Sequence, residues 1–333
     1  MRVGVIGTGA MGSIFGAALA RSGVEVLFHD KRAELVASIA RDGLLVGGVL
    51  GTFQLQPFAT TDAAALKPVD WVLVLVDANA TAEAARAAAA CLAPSGFALT
   101  LQNGIGNIEA LVETLGAARV LAGSTYNSGA TPSLGHARHT NPGHTVIGEL
   151  DGSTSARVTD IAARFAGAGL PTSVSDNITG VVWSKFVHNC AINPVSAVTG
   201  LRPGEIARDP SAARILSLLL DEALALVEKA GVRLPEHDPR AEIYDHTWER
   251  FNRPSMLQHI ESGRRTEIDA LNGALVKRAR ALGLAAPTNE AIALAVKAIE
   301  SCRAARDRSA EVDEAALEAE ARANPRRGRW GGL

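Results

Sequence analysis

Short apolar runs alternate with longer amphipathic stretches through the first half of the chain, and then the strands stop. Arg2–Ile6, Glu25–His29 and residues 71–76, 97–101 and 120–123 read as buried strands. Residues 44–49 and 52–56 read as a hairpin or short crossover piece. Residues 136–140 and 145–148, joined by Asn141-Pro142-Gly143, read as another hairpin, and 170–174 as a closing strand. Between them, 13–21, 32–42, 80–92 and 151–168 carry helical periodicity. From Asp176 onward only helical patterns remain, over 212–230, 266–282 and 290–306 among others. The pattern predicts an α/β fold: an N-terminal Rossmann-type doubly wound sheet followed by an all-helical C-terminal domain. The expected division is 1–175 for the sheet domain, 176–308 for the helical domain, and 309–333 for a loosely ordered tail.

The first strand runs into Gly7-Thr8-Gly9-Ala10-Met11-Gly12, and a helix pattern follows. This is G-x-G-x-x-G between a strand and a helix, the context that a dinucleotide fingerprint requires. The first glycine permits the tight turn, the second lets backbone approach a pyrophosphate, and the third lets helix and strand pack closely. The helix N-terminus offers free N–H groups and a positive dipole end. The second strand ends at Asp30, where an acidic residue binds the adenine ribose hydroxyls. Lys31 and Arg32 follow it and would suit a 2′-phosphate; the carboxylate opposes one, so the reading leans to NAD over NADP. Asn103 stands at a later strand end, as a contact for the nicotinamide ribose or substrate or as a turn asparagine.

The helical half opens with Asp176 and Asn177 as cap candidates, then a helix to about Thr199. Lys185, Asn189 and Asn193 recur at every fourth position and so share one face. Trp183, Phe186, Val187, Cys190 and Ile192 make much of the remainder apolar. This stripe reads equally as a proton-donating lysine with two orienting carboxamides, or as a snorkelling lysine with asparagines that bond to neighbouring turns. His188 does not share the stripe with both asparagines and is read as a packed or surface histidine.

Composition excludes more than it adds. The 333 residues carry a net charge of −2, which gives no electrostatic case for nucleic acid or an anionic membrane. Three cysteines without metal-ligand spacing suggest neither a disulfide framework nor a metal site. No apolar run is long enough to span a bilayer, and the N-terminus passes directly into a strand, so a cytoplasmic location is expected.

Five stretches together resemble the ketopantoate reductase (2-dehydropantoate 2-reductase) family over 1–306. They are Gly7 to Gly12, Leu101-Gln102-Asn103-Gly104, Lys185 with Asn189 and Asn193-Pro194, Ser255-Met256-Leu257-Gln258, and Arg265-Thr266-Glu267-Ile268-Asp269. The resemblance implies NAD(P)H-dependent reduction of a 2-oxo acid, with Lys185 as general acid. It also implies that Asn189 and Asn193 hold the substrate, Ser255 touches its carboxylate, Glu267 supports the catalytic site, and Asn103 sits by the cofactor. A homodimer is expected on the same ground. The chain departs from the family in two places. Asp30-Lys31 stands where the family, which prefers NADP, commonly has an arginine, and Asp77 stands where it often has a lysine. An NAD-dependent dehydrogenase resembling those for D-mandelate is the alternative within the family; a non-catalytic dinucleotide-binding regulator is the alternative outside it.

Overall fold

The first strand and the glycine turn after it set the frame for the rest. The computed structural model describes residues 1–306; the tail expected at 309–333 lies outside the described residues. β1 (Arg2–Ile6) leads into α1 (Ala10–Arg21), whose Ile14, Phe15, Ala18 and Leu19 are fully buried. β2 (Glu25–His29), α2 (Ala33–Asp42), β3 (Leu44–Gly48), β4 (Phe53–Leu55) and β5 (Ala59–Thr60) follow. Then come β6 (Val69–Val74), α3 (Thr81–Cys91), β7 (Leu92–Thr100), α4 (Asn107–Leu115) and β8 (Val120–Thr125). β9 (Ser128–Ser133), β10 (His136–Asn141), β11 (Thr145–Glu149), α5 (Ala156–Gly167) and β12 (Thr172–Val174) complete the strand-bearing half.

The main sheet has eight strands in the order β12-β11-β8-β7-β6-β1-β2-β5. From β5 through β8 every pairing is parallel. β1 lies between β6 and β2, and the chain leaves it first toward β2 and later toward β6. That reversal defines a topological switch point, and ligands of open α/β sheets bind outside the carboxyl ends of the strands there. Apolar helices cover both faces: α1 and α5 pack with Phe15, Phe165 and Trp71, and α3 and α4 with Ala85, Ala88 and Leu111. Strands covered on both faces read as unbroken apolar runs, which is why Val72, Leu73 and Val74 are all buried.

One expected hairpin does form: β3 and β4 pair antiparallel. The other does not. β10 pairs with β9 and β3 in a second sheet of order β4-β3-β10-β9, whereas β11 pairs with β8 and β12 in the main one. The turn Asn141-Pro142-Gly143 therefore carries the chain between sheets. Asn127 makes the crossing specific: its Oδ1 accepts from the Gly143 N–H at 3.1 Å and its Nδ2 donates to the Gly143 carbonyl at 2.7 Å. Gly143 lies so close to Tyr126 that a Cβ would come within 2.1 Å of the Tyr126 carbonyl carbon. β9 has glycine and proline in a polar run, so no alternation announces it.

The helical half comprises α6 (Ile178–Thr199), α7 (Pro203–Ile206), α8 (Pro210–Lys229), α9 (Pro239–Glu249), α10 (Ser255–Glu261), α11 (Ala274–Ala281) and α12 (Pro287–Arg306). Asn177 caps α6, its side chain accepting from the Gly180 N–H at 3.2 Å, and Gly200 ends it in a left-handed conformation. The helix is buried nearly all round, against α8, α10, α12 and β8. Pro194 lies inside it and has no N–H to give the Cys190 carbonyl. Asn272 supplies the missing donor: its Nδ2 bonds the Cys190 oxygen at 2.9 Å and Asn289 Oδ1 at 2.8 Å. Asn272 sits in a π turn, Asp269–Gly273, that interrupts the single helix expected over 266–282. The wider turn brings a buried carboxamide to α6 and leaves Glu267 just ahead of it.

Candidate active site

The glycine loop after β1 is closed at both ends and open in the middle. Gly7 has φ +95°, and a Cβ there would lie 2.7 Å from the Val76 side chain and 2.8 Å from the Leu75 carbonyl oxygen. A Cβ at Gly12 would stand 1.9 Å from the Gly7 oxygen. At Gly9 a Cβ would meet nothing within 4 Å, and the backbone there is ordinary, with φ −75°. Ala10 and Met11 form the first turn of α1, which contains no acidic side chain. The loop thus offers backbone N–H groups and a helix N-terminus with open space before them, as a pyrophosphate requires.

Asp30 turns back toward this loop and is 6% exposed. Its Oδ2 accepts from the Thr8 N–H at 2.9 Å and from Arg32 Nη2 at 2.8 Å, and its Oδ1 from Arg32 Nε at 2.8 Å and the Arg32 N–H at 3.1 Å. Burial works against the charge, but the Arg32 and Thr8 donors prevail and hold the carboxyl below its ordinary value. Asp77 and Glu34 also act on the Arg32 guanidinium. Lys31 is exposed and pairs with Glu83 at 3.3 Å. Acidic groups therefore outnumber basic ones at this end of β2.

The strand ends meet the helical half at Asn103. Its Nδ2 lies 3.4 Å from Glu267 Oε2, and its carbonyl accepts from Asn107 Nδ2 at 2.8 Å. Gln102, which donates to the Val76 carbonyl at 2.8 Å and to Thr81 Oγ1 at 2.9 Å, locks this loop to the end of β6. Lys185 Nζ donates to the Thr125 carbonyl and lies 5.4 Å from the centre of the Tyr126 ring. Burial lowers the Lys185 ammonium to about 8, partly opposed by the charge of Glu267. Burial and the nearby Asp77 raise Glu267, while Asn103, Ala78 and Lys185 pull it back. Lys185, Asn103 and Ser124 share the wall of one small cavity with Phe186.

Asn189 and Asn193 lie one and two turns beyond Lys185, 8% and 7% exposed. His188 packs edge-on against His246, with ring centres 4.5 Å apart, and burial pushes it down to about 3. A neutral ring at working pH is no rival acid, so the packing assignment stands on its surroundings. Ser255 is exposed at the first position of α10 and, among the described residues, makes no hydrogen bond to Lys185, Asn103 or Glu267. The lysine's actual partner, a backbone carbonyl, has no signature in a sequence. Gln102 was legible only as part of the run that holds Asn103.

A glycine fingerprint at the switch point, with a lysine of lowered pKa across from it, defines the class: a nicotinamide-dinucleotide-dependent oxidoreductase. The chain matches the family model for ketopantoate reductase PanE/ApbA over residues 3–152 and that for its C-terminal part over 177–300. It is 34% identical over 294 residues to a 2-dehydropantoate 2-reductase of Halobacterium salinarum, covering 88% of this chain and 97% of the relative. It is 31% identical over 300 residues to one of Archaeoglobus fulgidus, covering 90% and 98%. A crystal structure of a ketopantoate reductase from Ralstonia eutropha superposes with TM-score 0.83 at 34% identity, covering 90% of this chain and 99% of that one. A D-mandelate dehydrogenase bound to NADH and anilino(oxo)acetate shares the fold, with TM-score 0.84 at 24% identity over 91% of this chain and 99% of that one. The chain belongs to the ketopantoate reductase family.

Proposed function

We propose that the protein reduces 2-dehydropantoate to (R)-pantoate, with Lys185 as general acid and the wall around Asn103 and Glu267 holding the reacting groups. The observation that carries this reading is the Lys185 ammonium, lowered to about 8 and facing the same small space as Asn103 at the carboxyl end of the sheet. When bound, the reduced nicotinamide supplies the hydride. Negative charge then grows on the substrate carbonyl oxygen. Lys185 stabilises that charge with an N–H and then transfers its proton to it. An ammonium has three donors, so it keeps the Thr125 carbonyl as an anchor while it serves the substrate. Glu267 keeps the buried lysine charged and aligns Asn103. Asn189 and Asn193 donate amide N–H groups without adding a competing charge, and Ser255 reaches the substrate carboxylate from the start of α10. Residues 1–175 serve the cofactor and 176–308 the substrate and pairing with a second copy, in a cytoplasmic homodimer.

For the cofactor the reading is NAD. Gly7 to Gly12 cradle the pyrophosphate, and Asp30 and Lys31 flank the adenine ribose. A 2′-phosphate would meet the buried Asp30 carboxylate, with Asp77 acting on the same guanidinium and Arg32 already engaged. Initial rates with ketopantoate and with 2-oxo-2-phenylacetate, each with NADH and NADPH, test both points. Ketopantoate should be the better substrate, and NADH should be used better than NADPH, with the difference in KM. Asp30→Ser frees Arg32 and should swing preference to NADPH. A wild type that ignores ketopantoate, or that strongly prefers NADPH, contradicts the corresponding half.

A further inference from the structure

Ser124 lies in β8, a strand whose residues are all buried. Its backbone pairs with Val146 of β11. Side chains alternate along a strand. Thr125 spends its hydroxyl on Thr145, at 2.8 Å, so Ser124 faces the other way, toward α6. There its Oγ is buried and has no hydrogen-bond partner, although the residue is only 3% exposed. An unpaired buried hydroxyl is destabilising, and alanine would avoid the cost. The cavity in front of it measures about 10 Å³, room for roughly one water molecule. Asn103, Gln102 and Lys185 share its wall. Lys185 is already anchored one residue along, on the Thr125 carbonyl.

We infer that Ser124 is a positioning residue for Lys185, its hydroxyl accepting from the ammonium through a single water molecule in this cavity. The three donors of Lys185 are then divided among the Thr125 carbonyl, this water and the substrate oxygen. Through the same water the Ser124 hydroxyl is linked to the side-chain oxygen of Asn103, whose amide already reaches Glu267. The chain Lys185–Ser124–Asn103–Glu267 fixes where the ammonium points and favours its charged form. The inference rests on Lys185 being the acid.

Ser124→Ala tests it, with Ser124→Thr as the conservative variant and Lys185→Ala in parallel. For Ser124→Ala, kcat should fall by roughly 5- to 50-fold, less than the loss expected for the acid itself. KM should change little, and the high-pH fall of kcat should begin at lower pH because an acceptor for the ammonium is gone. Ser124→Thr should recover most of the rate and the wild-type profile. Thermal melting of both variants checks the fold. Wild-type kcat and an unmoved pH profile in Ser124→Ala would overturn the role. So would equal losses in the Ala and Thr variants that follow their melting temperatures. If Lys185→Ala itself retains turnover, the acid assignment fails, a result separate from any failure at Ser124.

Discussion

Replacing Lys185 by alanine is expected to lower turnover by roughly 10²–10⁴-fold, the usual worth of a positioned acid. Cofactor affinity should change little, because the lysine contacts the Thr125 carbonyl and the Asn103 side of the cleft, away from the glycine loop. The fold should survive. Removing a buried ammonium relieves its desolvation, and the α6 core of Phe186, Val187 and Cys190 is untouched. Steady-state rates and a dinucleotide titration on the same variant check the two halves. Near wild-type turnover would remove Lys185 from the chemistry.

Valine at Gly9 is the second large effect, expected to abolish dinucleotide binding in a folded protein. The structure makes this a clean experiment. A Cβ at Gly9 meets nothing within 4 Å, and φ −75° is accessible to any residue. The same change at Gly7 or Gly12 would strike backbone atoms and confound binding with folding. A valine at Gly9 would fill the space that the pyrophosphate needs before the α1 N-terminus. Fluorescence titration with NADH, with circular dichroism as a check on the fold, reads the result. Tight binding by the folded variant would reduce the fingerprint to a turn.

What the chain revealed in advance follows from how local each signal is. The fingerprint, β1, β2 and α6 are set by contiguous residues, and Arg2–Ile6 and Glu25–His29 emerged with their bounds intact. The hairpin around Pro142 failed because two polar runs beside a Pro-Gly turn satisfy a hairpin and a sheet-to-sheet crossing alike. Asn127, a distant side chain, decides between them. The π turn at Asp269–Gly273 was hidden for a similar reason. Its logic is a donor for the carbonyl that Pro194 leaves unpaired, supplied from 82 residues away. Asp30 at a strand end was readable, but its bidentate engagement by Arg32 was not, since Lys31 and Arg32 are equal in sequence and opposite in placement. Thr125 and Ser124 were missed because one acts through its backbone and the other is a serine in a buried strand.

The most direct measurement is the pH dependence of kcat for ketopantoate reduction. Reduction needs the protonated lysine, so the rate should be level at lower pH and fall as pH rises through about 8, where burial has placed Lys185. The reverse oxidation needs the neutral amine and should rise through the same region. The limb should vanish in Lys185→Ala. A reduction rate that stays level from neutrality to pH 10, or a limb near 8 that persists without Lys185, would contradict the assignment of the acid.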